Sequence, residues 1–166
     1  MLEEGLVDAT TVVIREMQTA KDAEAFRTLN EEWITKYFAL EDADRKVLND
    51  PQASIVAKGG RVFVVEADGA AVGCVALIPQ EHEGEYELSK MAVSPVLRGL
   101  GIGRKLIEYA VAEARAMGAK RLVLGSNTKL ANAVHLYESV GFRHVPKALQ
   151  PVSPYKRADV YMDLVL

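Results

Sequence analysis

The segment Arg98-Gly99-Leu100-Gly101-Ile102-Gly103-Arg104 sits between an apolar, strand-like stretch and the most regular amphipathic helix pattern in the chain. A glycine turn in that position aims backbone N–H groups at one point in front of a helix N-terminus, where an anion such as a phosphate is the natural guest. Glycine permits positive φ and lets a bulky ligand approach the backbone, and Arg98 and Arg104 can add charge-assisted hydrogen bonds. A plain strand-to-helix turn with no guest is the alternative that the glycines alone leave open. Two nucleotide motifs are excluded. The P-loop needs Gly-Lys-Ser/Thr where this chain has Gly103-Arg104-Lys105-Leu106, and the dinucleotide fingerprint needs a third glycine where Arg104 stands, so neither ATP nor NAD is the expected guest.

The rest of the chain frames this turn as part of one mixed α/β domain spanning residues 1–166, with residues 1–10 as a loose lead-in. The segment Thr11 to Met17 reads as a strand. Thr19 and Asp22 have capping-box spacing, and Phe26, Leu29, Trp33 and Tyr37 then recur at three and four residues, as one face of a helix requires. A short helix is expected from Asp42 to Leu48 and a loop from Asp50-Pro51 to Gly59-Gly60, since the residue before proline is pushed out of the helical region. Val62 to Val65 and Val72 to Ile78, separated by Asp68-Gly69, read as a hairpin, and Tyr86 to Val93 as a third strand. A helix follows from Ile102 to a Gly118 cap, then a strand from Arg121 to Gly125, a helix from Leu130 to Val140, and strands over Phe142 to Val145 and Val160 to Leu166.

Composition narrows the partners. With 20 Lys+Arg against 23 Asp+Glu the net charge is −3, which offers no electrostatic footprint for nucleic acid or an anionic membrane. The longest apolar stretch, Ala70 to Ile78, is too short for a membrane helix, and Glu3, Glu4 and Asp8 spoil a signal peptide, so the expected location is the cytoplasm. The single cysteine, Cys74, provides no disulfide or cysteine zinc site and reads as core. His82 lacks helical zinc spacing, and no metal is expected.

The run Glu87-Leu88-Ser89-Lys90-Met91-Ala92-Val93-Ser94-Pro95-Val96-Leu97-Arg98-Gly99-Leu100-Gly101-Ile102-Gly103 resembles the acyl-CoA-binding motif of the GNAT superfamily of acyl-CoA N-acyltransferases, with Arg98, Gly101 and Gly103 on its Gln/Arg-x-x-Gly-x-Gly/Ala core. Asn132-Ala133, Leu136-Tyr137 and Gly141-Phe142 resemble the family's second motif, in family order. The resemblance covers about Arg61 to Val145. It implies a mostly antiparallel central sheet flanked by helices, with a V-shaped strand splay that admits acetyl-CoA as cosubstrate. It further implies that N–H groups from Arg98 through Gly99, Leu100, Gly101, Ile102, Gly103 and Arg104 bind the pyrophosphate. The Met91, Ala92 and Val93 backbone would pair with the pantetheine arm, Asn132 would contact the pantetheine or adenosine side, and Tyr137 would point its hydroxyl at the thioester sulfur. Glu87 lies where some members carry a catalytic glutamate; others use the position of Ser89 or an ordered water.

The chemistry behind these roles is general. An alkyl ammonium of pKa about 10.4 costs roughly 4 to 5 kcal/mol to deprotonate at pH 7, and an α-amine of pKa about 8 costs about 1.4 kcal/mol, so a base such as Glu87 is useful. A phenol of pKa about 10 is a weaker acid than a thiol near 8.5, so Tyr137 serves as a hydrogen-bond donor to charge developing on sulfur. Glu81, Glu83 and Glu85 could attract a cationic amine, or form a solvated loop. The expected function is acetyl transfer to a primary amine of a small molecule or peptide in a ternary complex. A non-catalytic acyl-CoA-binding module is the alternative, and a homodimer is left open.

Overall fold

The computed structural model describes residues 12–97 and 99–166, so the lead-in and Arg98 lie outside the described residues. In chain order the elements are β1 (Val13–Glu16), α1 (Ala20–Tyr37), α2 (Asp42–Leu48), α3 (Pro51–Ser54), β2 (Arg61–Ala67), β3 (Ala70–Pro79), β4 (Glu85–Val93), α4 (Ile102–Ala116), β5 (Arg121–Ser126), α5 (Ala131–Val140), β6 (Arg143–His144) and β7 (Val160–Val165). The strands form one seven-stranded sheet in the order β1-β2-β3-β4-β5-β7-β6. Every pairing is antiparallel except β4 with β5. This is the mixed, mostly antiparallel sheet flanked by helices that the sequence implied.

Strand β2 is buried on both faces because helices cover both. Its Phe63 and Val65 join Leu106, Ile107 and Ala110 of α4 in one core, while Val62 and Val64 join Phe26 of α1, Leu48 of α2 and Ile55 in the other. Helix α4 places Ile102, Leu106, Ile107, Ala110, Val111 and Ala114 inward, the 3.6-residue stripe its sequence carries. Among the described residues no helix is long and apolar enough to cross a membrane.

Helix α1 starts at the expected capping box, with Thr19 Oγ1 accepting from Asp22 N and the Asp22 carboxylate accepting from Thr19 N. Its buried face differs from the expected one: Asp22, Phe26, Asn30 and Ile34 are inside and Tyr37 is 50% exposed. Apolar spacing missed this because two of the buried positions are polar and satisfied. The Arg15 guanidinium grips Asp22 with bonds of 2.8 and 3.1 Å, and Asn30 Nδ2 donates to Phe26 O at 2.9 Å. The expected loop after Asp50 also contains α3, since Asp50 caps it and Pro51 occupies its first turn, where a missing N–H costs nothing.

Asp22 has an acid-stability consequence. Hydrogen bonds from Arg15, helped by the Gln18 and Thr19 N–H groups, hold its carboxyl at about 2 against an ordinary 3.8. A depressed folded-state pKa gives stability that is complete above the unfolded value and is lost as pH falls through 4 toward 2. Asp22→Asn should therefore lower the stability at pH 7 by about 2 kcal/mol and flatten the loss between pH 4 and 2, as read by urea unfolding across pH.

Candidate functional site

Strands β4 and β5 run parallel in register only over Glu85↔Arg121, Tyr86↔Leu122 and Glu87↔Val123. Beyond Glu87 the two part, and β5 continues beside β7 through Ser126↔Val160 while β4 stays with β3 through Gly73↔Val93. A wedge therefore opens between the C-terminal halves of β4 and β5, with one β4 edge facing it. Arg121 fastens the closed end, donating to Glu85 at 2.8 Å and to Asp163 at 2.8 and 3.0 Å. Glu81, His82 and Glu83 of the acidic loop are exposed, whereas Gly84, whose carbonyl accepts from Lys120 N and Arg121 N, and Glu85 are tied to the start of β5.

Within the open half, β4 is bulged. Cys74 pairs with Ala92 and Ala76 with Ser89, so Lys90 and Met91 together oppose Val75, and Lys90 has φ 56, rare for a side-chain-bearing residue. The extra residue reverses the facing of the strand beyond it. Tyr86, Leu88, Met91 and Val93 face the α4 side, whereas Ala92 faces the α1 side with Cys74. Alternation puts Glu87 on that same α1 side, at the throat of the wedge. Lys90 also turns there: its Nζ donates to Asp44 Oδ1 of α2 at 2.9 Å and to the Tyr155 hydroxyl at 2.8 Å.

The bulge is held from beneath by a buried polar chain. Trp33 Nε1 donates to Asn30 Oδ1 at 3.1 Å, Asn30 Nδ2 approaches Cys74 Sγ at 3.4 Å, and Cys74 Sγ approaches the Lys90 carbonyl at 3.6 Å. Cys74 is core, as its surroundings in the sequence suggested, yet it also satisfies a carbonyl that the bulge takes out of the ladder. Burial pushes its thiol up to about 12, which leaves it protonated and unreactive.

At the mouth of the wedge, Gly99 and Gly101 have φ 84 and 68, the positive values expected of this turn, and Gly101 precedes α4. The first backbone bond of α4 runs from Lys105 N to Gly101 O, so the N–H groups of Ile102, Gly103 and Arg104 find no acceptor among the described residues. Gly103 lies close to α5: an added Cβ would stand 3.2 Å from Leu136 Cδ2. Arg98 lies outside the described residues. The Arg104 side chain is turned away from the turn, with Nε 2.7 Å from Glu108 and Nη1 donating to Ser139 at 2.9 Å, so only its backbone faces an anion there.

Helix α5 contributes Asn132, exposed in its first turn, and Tyr137, half-buried with its ring edge-on to Phe142 at 6.0 Å. Burial pushes the Tyr137 phenol up to about 12. Burial likewise raises the Glu87 carboxyl, with the Ser89 hydroxyl and the Lys90 ammonium acting in the opposite sense. The residues singled out by the two sequence motifs therefore fall around one wedge: Glu87 at its throat, Met91 to Val93 along one wall, the glycine turn at its mouth, and α5 beside the turn.

A cluster on the α1 side takes Lys90 from the first motif run and adds Glu41, Asp44, Tyr155 and Arg157, which neither motif contains; none of these five was marked as a site from the sequence. Arg157 donates to Asp44 at 2.6 and 2.8 Å and to Glu41 at 3.2 Å, and its guanidinium stacks 4.7 Å from the Tyr155 ring centre. Burial alone would raise the Asp44 carboxyl, but the hydrogen bonds from Arg157 and the charge of Lys90 outweigh it and hold the group at about 2. The available signal was a lysine inside an otherwise apolar strand segment, Lys90 in Ser89-Lys90-Met91-Ala92-Val93; its partners are distant in sequence. Among the described residues no group of three or more His, Cys, Asp or Glu is placed to hold a metal.

Known proteins resemble this chain in both sequence and fold. A family model described as the acetyltransferase (GNAT) family matches residues 23–142. The uncharacterized N-acetyltransferase YjgM of Escherichia coli is 39% identical over 93 residues, covering 55% of this chain and 56% of that protein. An amino-acid acetyltransferase of Ralstonia nicotianae is 40% identical over 82 residues, 49% of this chain and 17% of that protein. This chain thus spans about half of the first relative and far less of the second. Among solved structures, N-acetylglutamate synthase from Neisseria gonorrhoeae, complexed with coenzyme A and N-acetyl-glutamate, superposes with a TM-score of 0.71 at 21% identity, covering 93% of this chain and 35% of that one.

The burial of Cys74 sets a test. The chain's single thiol should resist a water-soluble aromatic disulfide reagent in the native state and react at once in denaturant; rapid native labelling would contradict its place beneath the bulge.

Proposed function

This chain belongs to the acetyltransferase (GNAT) family, and from that premise we propose that it transfers an acetyl group from acetyl-CoA directly to a primary amine in a ternary complex. The observation that carries the proposal is the wedge: a strand edge left without its parallel neighbour beyond Glu87, ending in a helix N-terminus whose first N–H groups find no acceptor among the described residues. A pantetheine arm is an amide chain of the right chemistry to pair with the Met91, Ala92 and Val93 backbone, and the pyrophosphate suits the glycine turn from Gly99 to Arg104. By the family motifs, Arg98 would join the pyrophosphate contacts and Asn132 would contact the pantetheine or adenosine side.

In this reading the amine loses its proton to Glu87 and attacks the thioester carbonyl. The C–N bond forms, the C–S bond breaks, the leaving sulfur carries the developing negative charge, and the second proton of the former ammonium leaves the amide nitrogen and, directly or through water, converts the thiolate to CoA thiol. Tyr137 donates a hydrogen bond to that sulfur. With its phenol near 12 it is too weak an acid to protonate a thiolate outright, so its role is charge stabilisation in the transition state. No acyl-enzyme is needed, which agrees with the inert Cys74.

The test measures release of CoA thiol from acetyl-CoA against a broad amine panel. Glu87→Gln should lower kcat/KM about 10²- to 10⁴-fold, the range of general-base catalysis. Because the base must be ionised and its pKa is raised, kcat/KM in the native protein should climb with pH through a limb above the ordinary glutamate value of 4.5, and Glu87→Gln should abolish that limb. Tyr137→Phe should lower kcat roughly 10²-fold while CoA affinity persists. Unaltered turnover in both variants would overturn the assigned roles.

A further inference from the structure

Resting on that acetyltransferase reading, we propose that Lys90, Tyr155 and Arg157 form the recognition site for a carboxylate on the acceptor, and that the acceptor is an amino acid whose amine is presented to Glu87. Hydrogen-bond donors and acceptors are out of balance in this cluster. Asp44 is 0% exposed and each of its oxygens already takes two hydrogen bonds: Oδ1 from Lys90 and Arg157, Oδ2 from Arg157 and the Glu41 N–H. Its acceptor capacity is full.

The donors are not exhausted. Lys90 uses two of its three ammonium protons, on Asp44 and Tyr155. Arg157 directs three bonds at Asp44 and Glu41, which leaves its Nε–H and one Nη2–H without a protein acceptor among the described residues. The Tyr155 hydroxyl accepts from Lys90 and donates to no described group. Apart from Glu41, whose carboxylate oxygens each take one bond, from the Lys156 N–H and from Arg157, and the second lone pair of the phenol, the remaining capacity is donors, on two cations and a phenol gathered around one aromatic ring, with Lys90 Nζ 4.2 Å and the Arg157 guanidinium 4.7 Å from its centre. Such a set matches an anion with planar paired oxygens, and guanidinium suits a carboxylate in particular.

Position selects the substrate. The bulge turns Lys90 onto the face that alternation gives to Glu87, three residues earlier on β4, and the Lys90 charge reaches the Glu87 carboxyl. Base and carboxylate site thus share one face of β4, three residues apart, as an acceptor carrying both an amine and a carboxylate requires. A polyamine offers a second cation, and a lysine side chain within a peptide offers no carboxylate beside its amine, so either would leave these donors unanswered.

The experiment compares matched acceptors in the CoA-thiol assay: alanine, glutamate and aspartate, their α-carboxamides, ethylamine as the decarboxylated partner of alanine, and a lysine peptide. The native protein should favour at least one amino acid over its carboxamide by about 10²-fold in kcat/KM. Tyr155→Phe, which keeps the ring, and Arg157→Gln should each raise KM for that amino acid at least tenfold and shrink the preference below about tenfold; Tyr155→Phe is the cleaner variant, since Arg157→Gln also removes a partner of buried Asp44. Equal use of acid and carboxamide by the native protein, or a preference unchanged in both variants, would overturn this assignment while leaving acetyl transfer standing. Release of thiol with none of the amines would instead overturn the acetyltransferase reading on which it rests.

Discussion

A β-strand that leaves its neighbour midway must find other partners for its peptide groups, and this fold is organised around that one departure. Up to Glu87 the strands β4 and β5 are locked, with Arg121 tying Glu85 and Asp163 across the join. Past it, β4 keeps β3 on one side and has an edge on the other. Exposed edges are a liability in most sheets, inviting association with a second chain. Here the edge faces the wedge between β4 and β5, where the proposed pantetheine arm would supply the missing partner.

The bulge at Lys90 converts this shared architecture into a particular one. Without the extra residue, strand alternation would have placed the ammonium beside Leu88 among the α4-side apolar groups, where a charge would be costly. With it, Lys90 reaches Asp44 and Tyr155, and a helix and a loop close over the strand. Leaving a buried member of such a cluster without its partner is expensive, on the order of 3 to 5 kcal/mol, so the cluster also defines where the surrounding elements sit.

Much of this was legible in the residues. The glycine turn, the α4 stripe, the Thr19–Asp22 capping box and the Gly141 cap are local devices, each written within a few positions of its effect. The buried side of α1 was not, because Asn30 and Asp22 look like surface residues until Arg15, Cys74 and Trp33 supply their hydrogen bonds. Helix α3 was hidden by reading Pro51 as a breaker when it served as a first-turn residue. The Asp44–Lys90–Arg157 cluster was least legible: Lys90 and Arg157 lie 46 and 113 residues from Asp44, and only topology brings them together.

The sheet order also bears on how the protein acquires its shape. Strand β7, residues 160–165, is not an edge strand; it is inserted between β5 and β6 and pairs with both. The half of the sheet beyond β5 is therefore incomplete until residues 160–165 are in place, and the loop bearing Tyr155 and Arg157 is anchored only once its following strand has docked. The hairpin units from β2 to β4 rest on short-range contacts and can form early, whereas closure of the acceptor side depends on contacts of long sequence separation, which form slowly. On this topology the β2–β4 hairpins are expected to order before the segment that carries Tyr155 and Arg157.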